Sequence, residues 1–161
     1  MKYLELLNTA LNGVLMIIAG FAVLALMTMG TANVVLRILH APFRGAYEVV
    51  AFLGAVVIAF ALGYTEKHKG NIIVDILTER FPKKVRDTLE GFNYAISGAF
   101  FVLVSWQVYE CGMKIMESGE LSETLKIVYH PFVFAVSLGF ALLALTLFVD
   151  LISLMLRPEV K

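Results

Sequence analysis

The chain has 161 residues, of which 60% are hydrophobic and 16% are charged, and this apolar share exceeds that of ordinary soluble domains, which is nearer half. The composition therefore indicates an integral membrane protein. The 13 basic and 13 acidic residues balance, which excludes the basic surface expected of a nucleic-acid-binding protein, and the single cysteine, Cys111, excludes an internal disulfide or a multi-cysteine site.

Four segments lack formally charged residues: 6–36, 49–65, 91–109 and 127–149. About 20 residues at 1.5 Å each cover a hydrocarbon core of roughly 30 Å, so each segment has about the length of a membrane span. The first is too long for the hydrophobic core of a secretory signal, which ends after about 15 residues. We therefore predict an all-α integral membrane fold, a single domain over residues 1–161, with four spans near 10–36, 47–65, 90–110 and 128–151.

Lysine and arginine are distributed unevenly between the two sides that four spans create. One side carries nine of them: Lys2, Lys67, Lys69, Arg80, Lys83, Lys84, Arg86, Arg157 and Lys161. The other side carries four: Arg37, Arg44, Lys114 and Lys126. Because positively charged loops are retained in the cytoplasm, both termini and the loop between the second and third spans are predicted to be cytoplasmic.

The second span carries a row of small side chains, here called the small-residue stripe: Ala51, Ala55, Ala59 and Gly63. Residues four apart are neighbours on a helix, and small side chains let helix backbones approach each other inside lipid. The stripe is therefore predicted to pack against another helix. The alternative is that alanine and glycine are simply common in membrane helices. The third span has a shorter row at the same spacing: Gly91, Ala95 and Ala99.

The loop between the second and third spans contains a predicted amphipathic helix over residues 71–81. Its apolar side comprises Ile72, Ile73, Ile76, Leu77 and Phe81. Asp75 and Glu79 fall on the opposite side, and Pro82 ends the helix. With lysines and arginines nearby, the pattern is typical of a short helix that lies in the membrane interface. The alternative is a cytoplasmic helix packed on the ends of the spans.

Polar residues offer few candidates for chemistry. Of the three histidines, His68 falls on the cytoplasmic side while His40 and His130 fall on the other, so the three cannot bind one metal or haem. The chain shows no nucleophile and base pair, glycine-rich phosphate loop or paired carboxylates at a useful spacing. We expect no enzymatic activity, no cofactor and no metal. Four polar residues of the first span are instead candidates for hydrogen bonds between helices: Asn12, Thr28, Thr31 and Asn33.

A series of short motifs follows the chain in order: Arg37 after the first span, Glu48 at the start of the second, the string His68, Gly70, Ile72, Val74 and Asp75, then Phe81 with Pro82, and Gly139 with Phe140 in the fourth span. In order, spacing and chain length they resemble the DctQ-type small membrane subunit of tripartite ATP-independent periplasmic (TRAP) transporters, and the resemblance covers most of the chain. Family members often have a proline just before the fourth span and another within it, where this chain has Val128 and Ser137.

The resemblance implies a bacterial inner-membrane location and two protein partners. These are a large polytopic subunit that imports a small organic anion by an elevator motion, usually with sodium, and a soluble periplasmic solute-binding protein. The small subunit would be a scaffold with no substrate site of its own, surrounded by membrane lipids. Arg37, Arg44 and Glu48, beside the turn between the first two spans, are the predicted contacts with the periplasmic partner.

Two other functions are compatible with four spans. A small homodimeric exporter would need a carboxylate inside a span, and the four uncharged segments contain none. The membrane anchor subunit of a redox enzyme would need haem-binding histidines that face each other within the spans. The residues therefore favour the scaffold.

Overall fold

The computed structural model describes residues 2–41, 43–68 and 83–156. Four α-helices account for most of them: α1 over Lys2–Ile38, α2 over Ala46–Lys67, α3 over Lys83–Ser118 and α4 over His130–Met155. Within these ranges the only β pairing is a single bridge between Leu121 and Val128, in the loop that joins α3 to α4. The all-α fold expected from the composition is confirmed.

Three of the described helices are long and apolar enough to cross a membrane: α1, α2 and α4, with mean hydropathies of 2.3, 2.1 and 2.6 over their best windows. The fourth, α3, has 36 residues, but polar residues such as Asn93 and Gln107 interrupt its apolar stretch. The predicted interfacial helix, with Ile72, Ile73, Asp75, Ile76, Leu77 and Phe81, lies outside the described residues.

Helices that are consecutive in the chain run antiparallel. Gly91 near the start of α3 faces Leu154 near the end of α4, and the Lys67 ammonium at the end of α2 donates a hydrogen bond to Thr9 near the start of α1. Asn12 near the start of α1 lies 3.3 Å from Thr146 near the end of α4, so these two ends lie at the same end of the bundle. Since α4 contacts α1, α2 and α3, it is the central helix.

The packing of α3 on α4 depends on small residues that recur every seven positions in α3: Gly91, Gly98, Ser105 and Gly112. A Cβ atom at Gly98 would lie 3.5 Å from the Phe148 ring, and one at Gly112 would lie 2.7 Å from the Phe134 ring. A seven-residue period keeps one side of a helix facing its partner in a left-handed pair. Of the predicted four-residue row, Gly91 belongs to this interface, whereas Ala99 is exposed.

The apolar core lies between α1, α2 and α4. It is centred on Leu15, Ala19, Val56, Ala59, Phe60 and Leu142. Large apolar side chains also remain outside this core and are exposed, for example Phe21 at 69% and Leu103 at 65%. An apolar surface of this kind marks contact with lipid or with another protein.

Candidate functional site

The small-residue stripe of α2 divides into two halves. Ala59 and Gly63 are buried within the chain, whereas Ala51 and Ala55 are exposed. A helix with 3.6 residues per turn rotates by about 40° over four residues, so the stripe winds through about 120° from its first member to its last. One neighbouring helix therefore cannot cover all four residues. The second half packs within the chain, and the first half is left uncovered.

The buried half of the stripe meets α4 at Gly139. A Cβ atom on Gly139 would lie 2.8 Å from the carbonyl carbon, the carbonyl oxygen and the Cβ atom of Ala59. Glycine is therefore required at position 139, because any side chain there would overlap the backbone of α2. The Gly139 and Phe140 motif of the sequence thus lies where α2 and α4 pack closely against each other.

The loop between α3 and α4, residues 119–129, is held by a carboxylate from α2; we call it the outer loop after its predicted side. Glu48, in the first turn of α2, accepts hydrogen bonds from the backbone N–H groups of Thr124 at 2.5 Å and Leu125 at 3.1 Å. Gly45, just before α2, is buried under the Leu125 side chain. The two turns at this end of the bundle are therefore joined to each other.

The outer loop also has internal order. The Ser122 N–H donates to Ile127 O at 3.0 Å, and the Ile127 N–H donates to Ser122 Oγ at 3.3 Å. At the end of the loop, the Tyr129 ring stacks on Phe52 of α2 with centroids 5.5 Å apart. Hydrogen bonds and ring packing thus fix the outer loop against α2.

The three predicted contacts with a periplasmic partner have different surroundings. Arg37 and Arg44 are exposed, so both guanidinium groups are accessible to another protein. Glu48 is half-buried, and its carboxylate is directed to the outer loop. The structure gives Glu48 a role in positioning a surface, which the sequence does not indicate because its hydrogen-bond partners are 76 and 77 residues away.

A buried polar cluster joins α1 to α4. The Asn12 amide nitrogen donates to the backbone oxygen of Asn8 at 2.9 Å and to Asn8 Oδ1 at 2.7 Å, and it lies 3.3 Å from Thr146 Oγ1. All three side chains are at most 3% exposed. The prediction for Asn12 is confirmed. The hydroxyl groups of Thr28 and Thr31 instead donate to backbone oxygens within α1, and Asn33 Oδ1 has no hydrogen-bond partner among the described residues. The other two members of the cluster were not predicted, although Asn8 could have been found as a second asparagine one helical turn from Asn12.

An open groove of about 440 Å³ lies between α3 and α4, lined mainly by apolar side chains such as Val102, Trp106 and Phe148. Its two serines bond to each other's helices: Ser105 Oγ donates to Ser137 O at 3.0 Å, and Ser137 Oγ donates to Ser105 O at 2.9 Å. Ser137, which stands where family members often have proline, thus connects α4 to α3. In the described ranges, no three His, Cys, Asp or Glu side chains are grouped as a metal site would require.

These features define a multi-pass helical membrane protein whose polar groups mainly hold helices and loops together. The family model for the DctQ component of tripartite ATP-independent periplasmic transporters matches residues 26–157. The chain therefore belongs to the DctQ family, as its motifs predict, and this family is a transporter component and not an enzyme. Comparisons with curated proteins and with solved structures found no match.

Proposed function

We propose that the chain is the small membrane subunit of a TRAP transporter in the bacterial inner membrane. It acts as a fixed scaffold beside a large subunit that imports a small organic anion by sodium symport, together with a periplasmic binding protein. The family match over residues 26–157 carries this proposal. The packing supports it, because the buried polar side chains of α1 and α4 are engaged with one another and do not line a path for a solute.

The scaffold has four spans, with α3 as the third. Along α3, Gly91 faces Leu154 of α4 and Gly112 faces Phe134, so the two helices stay in contact over about 20 residues. At 1.5 Å per residue this is about 30 Å, the thickness of the hydrocarbon core. A helix that accompanies the apolar α4 over this distance crosses the same layer, although its own hydropathy is lower.

The exposed half of the small-residue stripe is the surface we assign to the large subunit. Ala51 and Ala55 are exposed, and they continue the surface on which Ala59 and Gly63 already pack closely. Small residues permit close backbone contact, so a transmembrane helix of the large subunit fits here.

Replacing Ala51 and Ala55 together with leucine is expected to reduce recovery of the large subunit with an affinity-tagged chain. Overpacking a close contact costs about 1–3 kcal/mol, and 1.4 kcal/mol corresponds to about a tenfold loss in affinity. The measurement is co-purification from membranes that contain all transporter components. Ala99→Leu, at an exposed alanine on α3, is the matched control and should leave recovery unchanged.

A stable lone chain that transports solute in proteoliposomes would refute the proposed scaffold role.

Cys111 offers a test of the proposed sidedness, because it is exposed near the end of α3 that adjoins the outer loop. We expect a membrane-impermeant maleimide to label it from outside intact cells. The control is a Cys111→Ser chain with His68→Cys at the opposite end of the bundle, which should react only after the membrane is permeabilised. If Cys111 is labelled only after permeabilisation, the orientation of the chain is the reverse of the proposed one.

A further inference from the structure

We propose that Asn12, Gly63 and Thr146 form a polar lock that fixes the axial register of α1 against α2 and α4. The three residues belong to three different helices, and Asn12 lies between the other two. The lock is a property of the chain itself and does not depend on the proposed transport role.

The need for such a lock arises from the contact surface of α1. Between residues 6 and 38, where burial is described, its buried and half-buried residues apart from Gly13 alternate at spacings of four and three: Asn8, Asn12, Leu15, Ala19, Ala22, Leu26, Met29 and Asn33. This heptad pattern produces a narrow seam along the helix. The middle of the seam is uniformly apolar, and inside lipid there is no hydrophobic drive to select one axial position over another. Polar residues in a heptad seam are able to specify register.

Asn12 fits only the observed position. Its amide nitrogen bonds to Asn8 and approaches Thr146, whose hydroxyl oxygen also lies 3.1 Å from Asn8 Oδ1 and 2.9 Å from Leu142 O. Its amide oxygen is buried and has no conventional hydrogen-bond partner in the described part of the chain. Moving α1 by one turn, about 5.4 Å, would keep the bond to Asn8, which lies on the same helix, but would separate Asn8 and Asn12 from Thr146 and Gly63.

Gly63 is the third component because it accommodates the unpaired amide oxygen. A Cβ atom on Gly63 would lie 2.6 Å from Asn12 Oδ1, so any larger residue at position 63 would overlap the amide oxygen. Only glycine leaves room for the amide oxygen. This member of the small-residue stripe therefore accommodates a polar group in addition to packing closely.

A double-mutant cycle tests the contact between Asn12 and Gly63. Gly63→Ala is expected to lower the melting temperature of the purified chain in detergent by about 5 °C, because the new methyl group overlaps the amide oxygen. In an Asn12→Ala background the same change should cause a much smaller further drop, since the oxygen is gone. Gly54→Ala, on the same helix with nothing within 4 Å of its Cβ position, should cause no drop. If the two substitutions lower the melting temperature additively, Asn12 and Gly63 do not interact and the proposal is wrong.

The register itself is tested with Asn12→Leu, which keeps the number and branching of the side-chain heavy atoms and suits a lipid-embedded helix. In a Cys111→Ser chain, spin labels at two exposed positions, Leu7 on α1 and Leu138 on α4, report the axial position of α1 as a distance distribution. We expect one narrow distribution with Asn12 present. With Asn12→Leu we expect a broadened distribution or an added population displaced by about 5 Å, one helical turn. A single unchanged distance in the variant would show that the cluster does not set register.

Discussion

Gly139→Ala is expected to destabilise the chain by about 1–3 kcal/mol, the usual range for overpacking a filled interior. The new Cβ atom would lie 2.8 Å from the backbone of Ala59, and a backbone atom in the middle of a helix cannot rotate away as a side chain can. Relief requires α2 and α4 to separate, which would loosen the core that they share with α1. Thermal unfolding of the purified chain in detergent should show a melting temperature lower by several degrees.

Two further variants make this result specific to the contact. Gly20→Ala, on α1 with open space around its Cβ position, should not lower the melting temperature, because alanine is the better helix former. Adding Ala59→Gly to Gly139→Ala should recover only part of the loss, because the carbonyl carbon and oxygen of residue 59 remain at the same short distance. If Gly139→Ala does not lower the melting temperature, α2 and α4 are farther apart than the 2.8 Å distance indicates.

Glu48→Ala is expected to free the outer loop while the helices stay folded. The carboxylate is the acceptor for the N–H groups of Thr124 and Leu125, and hydrogen bonds to charged groups contribute about 1.5–3 kcal/mol. Amide hydrogen exchange at these two residues should therefore become at least about tenfold faster, since local opening governs exchange. Glu48→Gln should have an intermediate effect, because it keeps one side-chain oxygen as an acceptor without the charge.

Glu123→Gln is the control for that experiment. Glu123 lies in the same loop and is exposed, so its replacement removes a negative charge without removing an acceptor of the loop N–H groups. Exchange at Thr124 and Leu125 should stay slow in this variant. If it accelerates as much as in Glu48→Ala, the effect of Glu48 is one of net charge and not of hydrogen bonding.

The sequence alone predicts the helical segments and the family of this protein, because both depend on residues close together in the chain. Uncharged runs at residues 6–36 and 127–149 identify α1 and α4 by local composition, since a long apolar segment is stable in lipid whatever its neighbours are. The short motifs, from Arg37 to Gly139, likewise identify the DctQ family.

Which residues of each helix meet a neighbour was decided only by the tertiary structure. The small-residue stripe of α2 is a single row in the sequence, but the burial of its second half and the exposure of its first half depend on which helix lies alongside, as does the seven-residue row of α3. The bonds of Glu48 to Thr124 and of Asn12 to Thr146 connect residues 76 and 134 positions apart. Inside lipid every helix is already apolar, so partner choice depends on steric fit and on a few hydrogen bonds between distant segments, which local composition does not encode.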